Sequence, residues 1–137
     1  WSGGRVVSTV QEACPMWVPI VENNEIGTEG AEFFIKRHIQ NILAKDSKMD
    51  TLILGCTHYP LLINSIRKYV PSQINILEQG AITAEKLVEY LQRHPDMESR
   101  LSKGGTLRYQ TTESAANFAE KAALFIGQKV TAEHVRL

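Results

Sequence analysis

Cys56 and His58 stand two residues apart in the run Thr51-Leu52-Ile53-Leu54-Gly55-Cys56-Thr57-His58-Tyr59-Pro60. An apolar strand pattern stops at Gly55, and Pro60 suits the opening of a helix, where its missing N–H costs nothing. This arrangement predicts a thiol at the C-terminal end of a buried strand, facing a helix start, where open α/β sheets collect ligands. Free backbone N–H groups at such a helix start favour an anion and a thiolate. A cysteine has an ordinary pKa of about 8.5, so neighbours must make it a usable base near neutral pH. His58 is close enough in sequence to accept or donate a proton locally. Thr57 lies between them, either as a helix cap or as a hydroxyl for a ligand.

The elements around this run alternate. Val6 to Val10 reads as a short β-branched strand. Ala13-Cys14-Pro15 breaks it, Met16 to Val21 is an apolar stretch interrupted by Pro19, and Glu22-Asn23-Asn24-Glu25 reads as a polar loop. A helix follows from about Ala31 to Ala44, with Phe34, Ile35, Ile39, Ile42 and Leu43 at helical spacing. Thr51 to Leu54 is the next strand, and a helix from Pro60 to about Val70 ends at Pro71. Then come a strand over Ile74 to Leu77, a helix over Ala81 to Arg93 and a stop at His94-Pro95-Asp96. A strand over Leu107 to Thr111, a helix over Ala115 to Ile126 and a C-cap at Gly127 follow. Val130 to Leu137 adds a possible last strand. This alternation predicts an α/β fold with a mainly parallel sheet flanked by helices.

Composition narrows the function classes. The 137 residues hold 43% apolar and 22% charged side chains, ordinary for a globular protein with a core. Lys plus Arg equals Asp plus Glu, 15 each, which argues against a charge-driven binder of nucleic acid or membrane. No apolar run approaches the ~20 residues of a membrane span, and no basic-then-apolar leader is visible. Two cysteines, Cys14 and Cys56, are too few for a disulfide framework, so a reducing cytoplasm is the expected location. Cys-Thr-His supplies two metal ligands and no second pair follows, so no metal is expected. The opening Trp1-Ser2-Gly3-Gly4 lacks an initiator Met and is expected to mark a cut from a longer chain or a cloning scar.

At Leu54-Gly55-Cys56-Thr57-His58-Tyr59-Pro60 the chain resembles the glutamate racemases of the aspartate/glutamate racemase superfamily. Ala13-Cys14-Pro15 with Val18-Pro19-Ile20-Val21-Glu22 is similar to a family segment that ends in an acidic residue. Tyr109-Gln110-Thr111-Thr112-Glu113 with Phe118 is similar to its C-terminal strand and helix. The resemblance covers essentially the whole chain and about the second half of a typical racemase. It implies that residues 1–78 are part of a second catalytic lobe, and that 79–137 is a strand and helix segment that packs on the first lobe in relatives. It implies a reaction without cofactor on glutamate, in which one thiolate removes the α-proton and an opposite thiol returns one to the other face. Such a reaction supplies D-glutamate for peptidoglycan. By this resemblance Cys56 is the second-lobe catalytic cysteine, and Thr57 holds a substrate carboxylate. His58 and Glu22 assist the thiol, Glu22 by fixing one tautomer of His58. The family's first-lobe Asp-Ser pair, first cysteine and Asn-Thr neighbours are absent, and the segment at Gln79-Gly80 departs from the common Ser-Gly.

Taken without the resemblance, the same residues read more plainly. Cys14 is a small buried hydrophobe, Glu22 is solvated surface, and His38, His94 and His134 are surface histidines. Three other functions stay open: an aspartate or hydantoin racemase, a non-catalytic α/β module and a thiol hydrolase. With one matched cysteine the isolated chain is expected to be inactive and, with apolar surface uncovered, to associate with copies of itself.

Overall fold

The computed structural model describes residues 8–137. Val6 and Val7 of the expected first strand lie outside these residues, and Ser8–Val10 is irregular rather than extended into a strand. Contacts divide the chain into two units, one through Glu85 and one from Lys86 onward. The division falls inside a helix, whereas the sequence reading placed one between residues 78 and 79.

In the first unit, α1 (Trp17–Glu22) and α2 (Glu29–Lys45) precede β1 (Thr51–Ile53). A 3-10 turn (Tyr59–Leu62) leads into α3 (Ile63–Tyr69), and β2 (Asn75–Leu77) follows. The Met16–Val21 stretch is thus helical despite Pro19. Pro19 is the third residue of α1, where no intrahelical acceptor awaits its absent N–H. Thr28 starts α2 by accepting from the Ala31 N–H at 3.2 Å, a cap that stabilises by about 1 kcal/mol. One face of α2 is buried: Ala31, Ile35, His38 and Ile39. Leu62 and Ile66 form the facing core, with Ile35 and Ile66 wholly buried. Each such aliphatic side chain stabilises by about 1.5–3 kcal/mol. Glu32 ties α2 to α3 by accepting from Ser65, Lys68 and Tyr69 at 2.6–2.8 Å.

β1 and β2 pair in parallel, Leu52 opposite Ile76. Leu52 and Leu54 are buried while Ile53 is 61% exposed, the two-residue alternation of a strand covered on one face.

The second unit takes in most of α4 (Gln79–Arg93), then α5 (Pro95–Ser99), β3 (Tyr109–Thr111), α6 (Ala115–Ile126) and β4 (Ala132–His134). Pro95, read in the sequence as a stop, is also the first residue of α5, because a proline that ends one helix can open the next. β3 and β4 pair in parallel around α6. Ser114 caps α6, and Gly127 ends it at φ 74°, with its N–H on the Ala123 carbonyl. The expected parallel direction holds in both pairs, but the described strands form two separate two-stranded ladders rather than one sheet.

Candidate active site

The site lies in the first unit, beyond the C-terminal end of β1. After Leu54 the backbone turns sharply, with the Tyr59 N–H donating to the Cys56 carbonyl at 3.2 Å and the Leu61 N–H to the His58 carbonyl at 3.1 Å. These bonds fold Cys56-Thr57-His58-Tyr59 into a tight turn and consume the Tyr59 N–H. An anion at the turn is therefore left with the N–H groups of Thr57 and His58, for which the described residues offer no acceptor. Thr57 is exposed and its side chain caps no helix.

Cys56 is partly exposed and free. Its Sγ lies 3.9 Å from His58 Nδ1, a long sulfur contact. On the other side of the ring, His58 Nε2 is 2.7 Å from Glu22 Oε1. In the neutral ring, a carboxylate accepting at Nε2 favours the tautomer with its proton there, which leaves the Nδ1 lone pair turned toward the thiol. Both members of the pair keep about a third of their side-chain surface in solvent, His58 28% and Glu22 32%.

Glu22 is not in a polar loop, as its neighbours Asn23-Asn24-Glu25 had suggested. It is the last residue of α1. The helix stops there because Asn24 adopts the left-handed conformation, φ 55°. The Asn24 N–H then reaches the Val21 carbonyl and the Glu25 N–H reaches the Ile20 carbonyl, at 3.1 and 2.9 Å. This is a Schellman ending with Asn in place of the usual Gly. Trp17 anchors the other end of α1 edge-on against Tyr59, centroids 4.8 Å apart. Tyr59 also donates to the Cys14 carbonyl at 3.4 Å. The Cys56 turn and the helix carrying Glu22 are thereby fastened together.

Cys14 stands apart from this chemistry. It is buried, and burial followed by the nearby Glu12 charge pushes its thiol up to about 11. His38 corrects its reading as a surface residue: it is 7% exposed on the inner face of α2. Its Nδ1 meets Glu12 Oε1 at 2.8 Å, and Asn41 and Lys45 donate to the same carboxylate. These bonds, Lys45 first, hold Glu12 down to about 2. The only sequence sign of this cluster was the place of His38 on the apolar stripe of α2. Among the described residues no group of three or more His, Cys, Asp or Glu is placed to hold a metal, and no helix is long and apolar enough to cross a membrane.

A parallel βαβ unit, with a partly exposed thiol beyond its first strand and beside a histidine paired with a carboxylate, defines an α/β lobe. Glutamate racemases are similar to it in sequence and in fold. The chain is 36% identical over 125 residues to the glutamate racemase of Streptococcus gordonii, covering 91% of this chain and 46% of that one. It is 35% identical to that of Streptococcus thermophilus, over 91% and 45%. Glutamate racemase isoform RacE1 from Bacillus anthracis superposes with a TM-score of 0.76 at 30% identity, over 92% of this chain and 46% of its own. No protein-family model matches the chain. By sequence and by fold the chain resembles a glutamate racemase lobe, and it spans about half the length of the curated relatives it matches.

Proposed function

We propose that this chain supplies one face of the active site of a glutamate racemase that works without a cofactor. Cys56 is the acid/base on that face. As thiolate it takes the α-proton: the C–H bond breaks, its electron pair stays on the α-carbon and spreads into the carboxylate, and the proton goes to sulfur. A second thiol on the opposite face returns a proton, and the configuration inverts. His58, held by Glu22, takes the thiol proton through Nδ1 and gives it back between turnovers. Thr57 and the N–H groups of Thr57 and His58 hold the substrate carboxylate. In the cell this reaction would furnish D-glutamate for peptidoglycan in the cytoplasm.

The observation that carries this reading is the aligned series Glu22, His58, Cys56, at 2.7 and 3.9 Å, at the end of a parallel strand. The relatives support the substrate. The chain has two cysteines, and Cys14 is buried with its thiol pushed up, so one chain offers one usable thiol. We therefore expect no racemisation by the 137-residue chain alone. Large side chains such as Leu87, Val88, Leu107 and Leu124 are more than half exposed, and we expect the chain to pair with a second copy, which light scattering would show as a mass above the monomer.

The test is to co-express the chain with the complementary half of the Bacillus anthracis relative and follow glutamate by circular dichroism. Turnover is expected, and Cys56→Ser should reduce it by roughly 10²–10⁴-fold. Unchanged turnover in Cys56→Ser would overturn the proposal. Faster turnover of aspartate than of glutamate would move the assignment to an aspartate racemase.

A further inference from the structure

Glu22 and His58 keep 32% and 28% of their side-chain surface in solvent. A pair so exposed is weak against the freedom of its own side chains. The 2.7 Å contact therefore depends on where α1 and the Cys56 turn hold the two backbones. Tyr59, the residue after His58, is the one whose side chain reaches from that turn to α1.

The ring of Tyr59 meets Trp17 with centroids 4.8 Å apart and planes at 68°. An edge-to-face pair of this kind prefers an angle as well as a distance, which an aliphatic side chain of similar volume does not. Trp17 is a fixed anchor: it is 2% exposed and also stands edge-on to His38 of α2, at 6.3 Å. It is the first residue of α1 and Glu22 is the last. Ile20 and Val21 between them are buried, so a shift of the short helix at Trp17 is carried to Glu22. The hydroxyl of Tyr59 adds little. It lies 3.4 Å from the Cys14 carbonyl, beyond the usual range of up to about 3.0 Å for such a bond. That carbonyl already accepts from the Trp17 N–H at 3.1 Å.

We infer that Tyr59 is a positioning residue: its ring, docked on Trp17, sets the Glu22–His58 contact and through it the reactivity of Cys56, while its hydroxyl is dispensable. The inference rests on the reading of Glu22, His58 and Cys56 as one series.

The test is the rate at which iodoacetamide alkylates Cys56 in the folded 137-residue chain, followed by peptide mass spectrometry. It needs no turnover and no second lobe. Wild type, Tyr59→Leu, Glu22→Gln and the double variant are compared, with circular dichroism to show that each is folded. Tyr59→Leu and Glu22→Gln should each slow alkylation by roughly threefold or more, and the double variant should be no slower than the slower single one. Losses that multiply in the double variant would overturn the inference, because Tyr59 would then act apart from Glu22. Tyr59→Phe keeps the ring and should react at the wild-type rate. A slow Tyr59→Phe overturns the inference, and this holds even where Tyr59→Leu does not fold. If Glu22→Gln alone changes nothing, the series itself fails and the role of Tyr59 with it. If Glu22→Gln slows the reaction and Tyr59→Leu does not, the series stands and only the role of Tyr59 fails.

Discussion

Glu22 Oε1 and His58 Nε2 are 2.7 Å apart although 36 residues separate them in the chain. The contact joins the last turn of α1 to the turn after β1, and it leaves the far ring nitrogen facing Cys56. Residues acting in series of this kind lose their effect together rather than separately.

The first prediction follows from that coupling. In the co-expressed enzyme, Glu22→Ala and His58→Ala should each lower kcat by roughly 10²-fold or more, with a smaller change in KM. The double variant should be no worse than His58→Ala alone. Steady-state kinetics on the four proteins check this, and additive losses would mean that Glu22 acts independently of His58.

The two thiols should differ in reactivity. Cys14 is buried, with its thiol pushed up to about 11, whereas Cys56 is partly exposed. Treated with iodoacetamide at pH 8, the folded chain should gain one adduct, on Cys56, by peptide mass spectrometry. Both cysteines should react in denaturant. Cys14→Ala should leave turnover of the co-expressed enzyme unchanged.

Acid should unfold the chain in a defined window. Glu12, chiefly through Lys45, and Glu32, chiefly through Lys68, are both lowered from 4.5 to about 2. A carboxylate with a depressed folded pKa stabilises fully above its unfolded value, and the contribution disappears as pH falls through the folded one. The melting temperature should therefore fall between about pH 5 and pH 2. The fall should be shallower in Glu12→Gln and in Glu32→Gln, read by thermal scans at each pH. An equal slope in both variants and the wild type would show that other groups carry the acid response.

Gly127 gives a prediction confined to backbone conformation. Its φ of 74° is left-handed, and nothing lies within 4 Å of where a Cβ would sit. Gly127→Ala should destabilise by about 1–2 kcal/mol from strain alone. Ile66→Ala, at a wholly buried site, should cost about 2–5 kcal/mol. Urea titration ranks the two.

Much of the architecture was legible in local pattern. The apolar spacing of Ile35 and Ile39 placed α2, the proline at 60 placed the turn into α3, and Gly127 marked the end of α6, because each signal acts within a turn or two of chain. Met16–Val21 was read as an interrupted apolar stretch because Pro19 resembles a breaker, and only its place in the first helical turn makes it harmless. Glu22 was misread for the same local reason: its neighbours are polar, but Asn24 turns left-handed and leaves Glu22 on the helix. His38 was read as surface because a lone histidine carries no sign of a partner 26 residues away.

The sequence by itself determined that one thiol and one histidine share a turn at a strand end, because both belong to a single ten-residue run whose apolar half must be buried. The resemblance had paired Glu22 with His58 and the residue reading had buried Cys14, but only tertiary packing sets the distance of the one and the seclusion of the other. Those outcomes depend on how α1 lies against the turn, through Trp17 and Tyr59, and on how much water reaches each sulfur. Neither distance nor solvation is encoded in neighbouring residues; both arise when separate segments exclude water together.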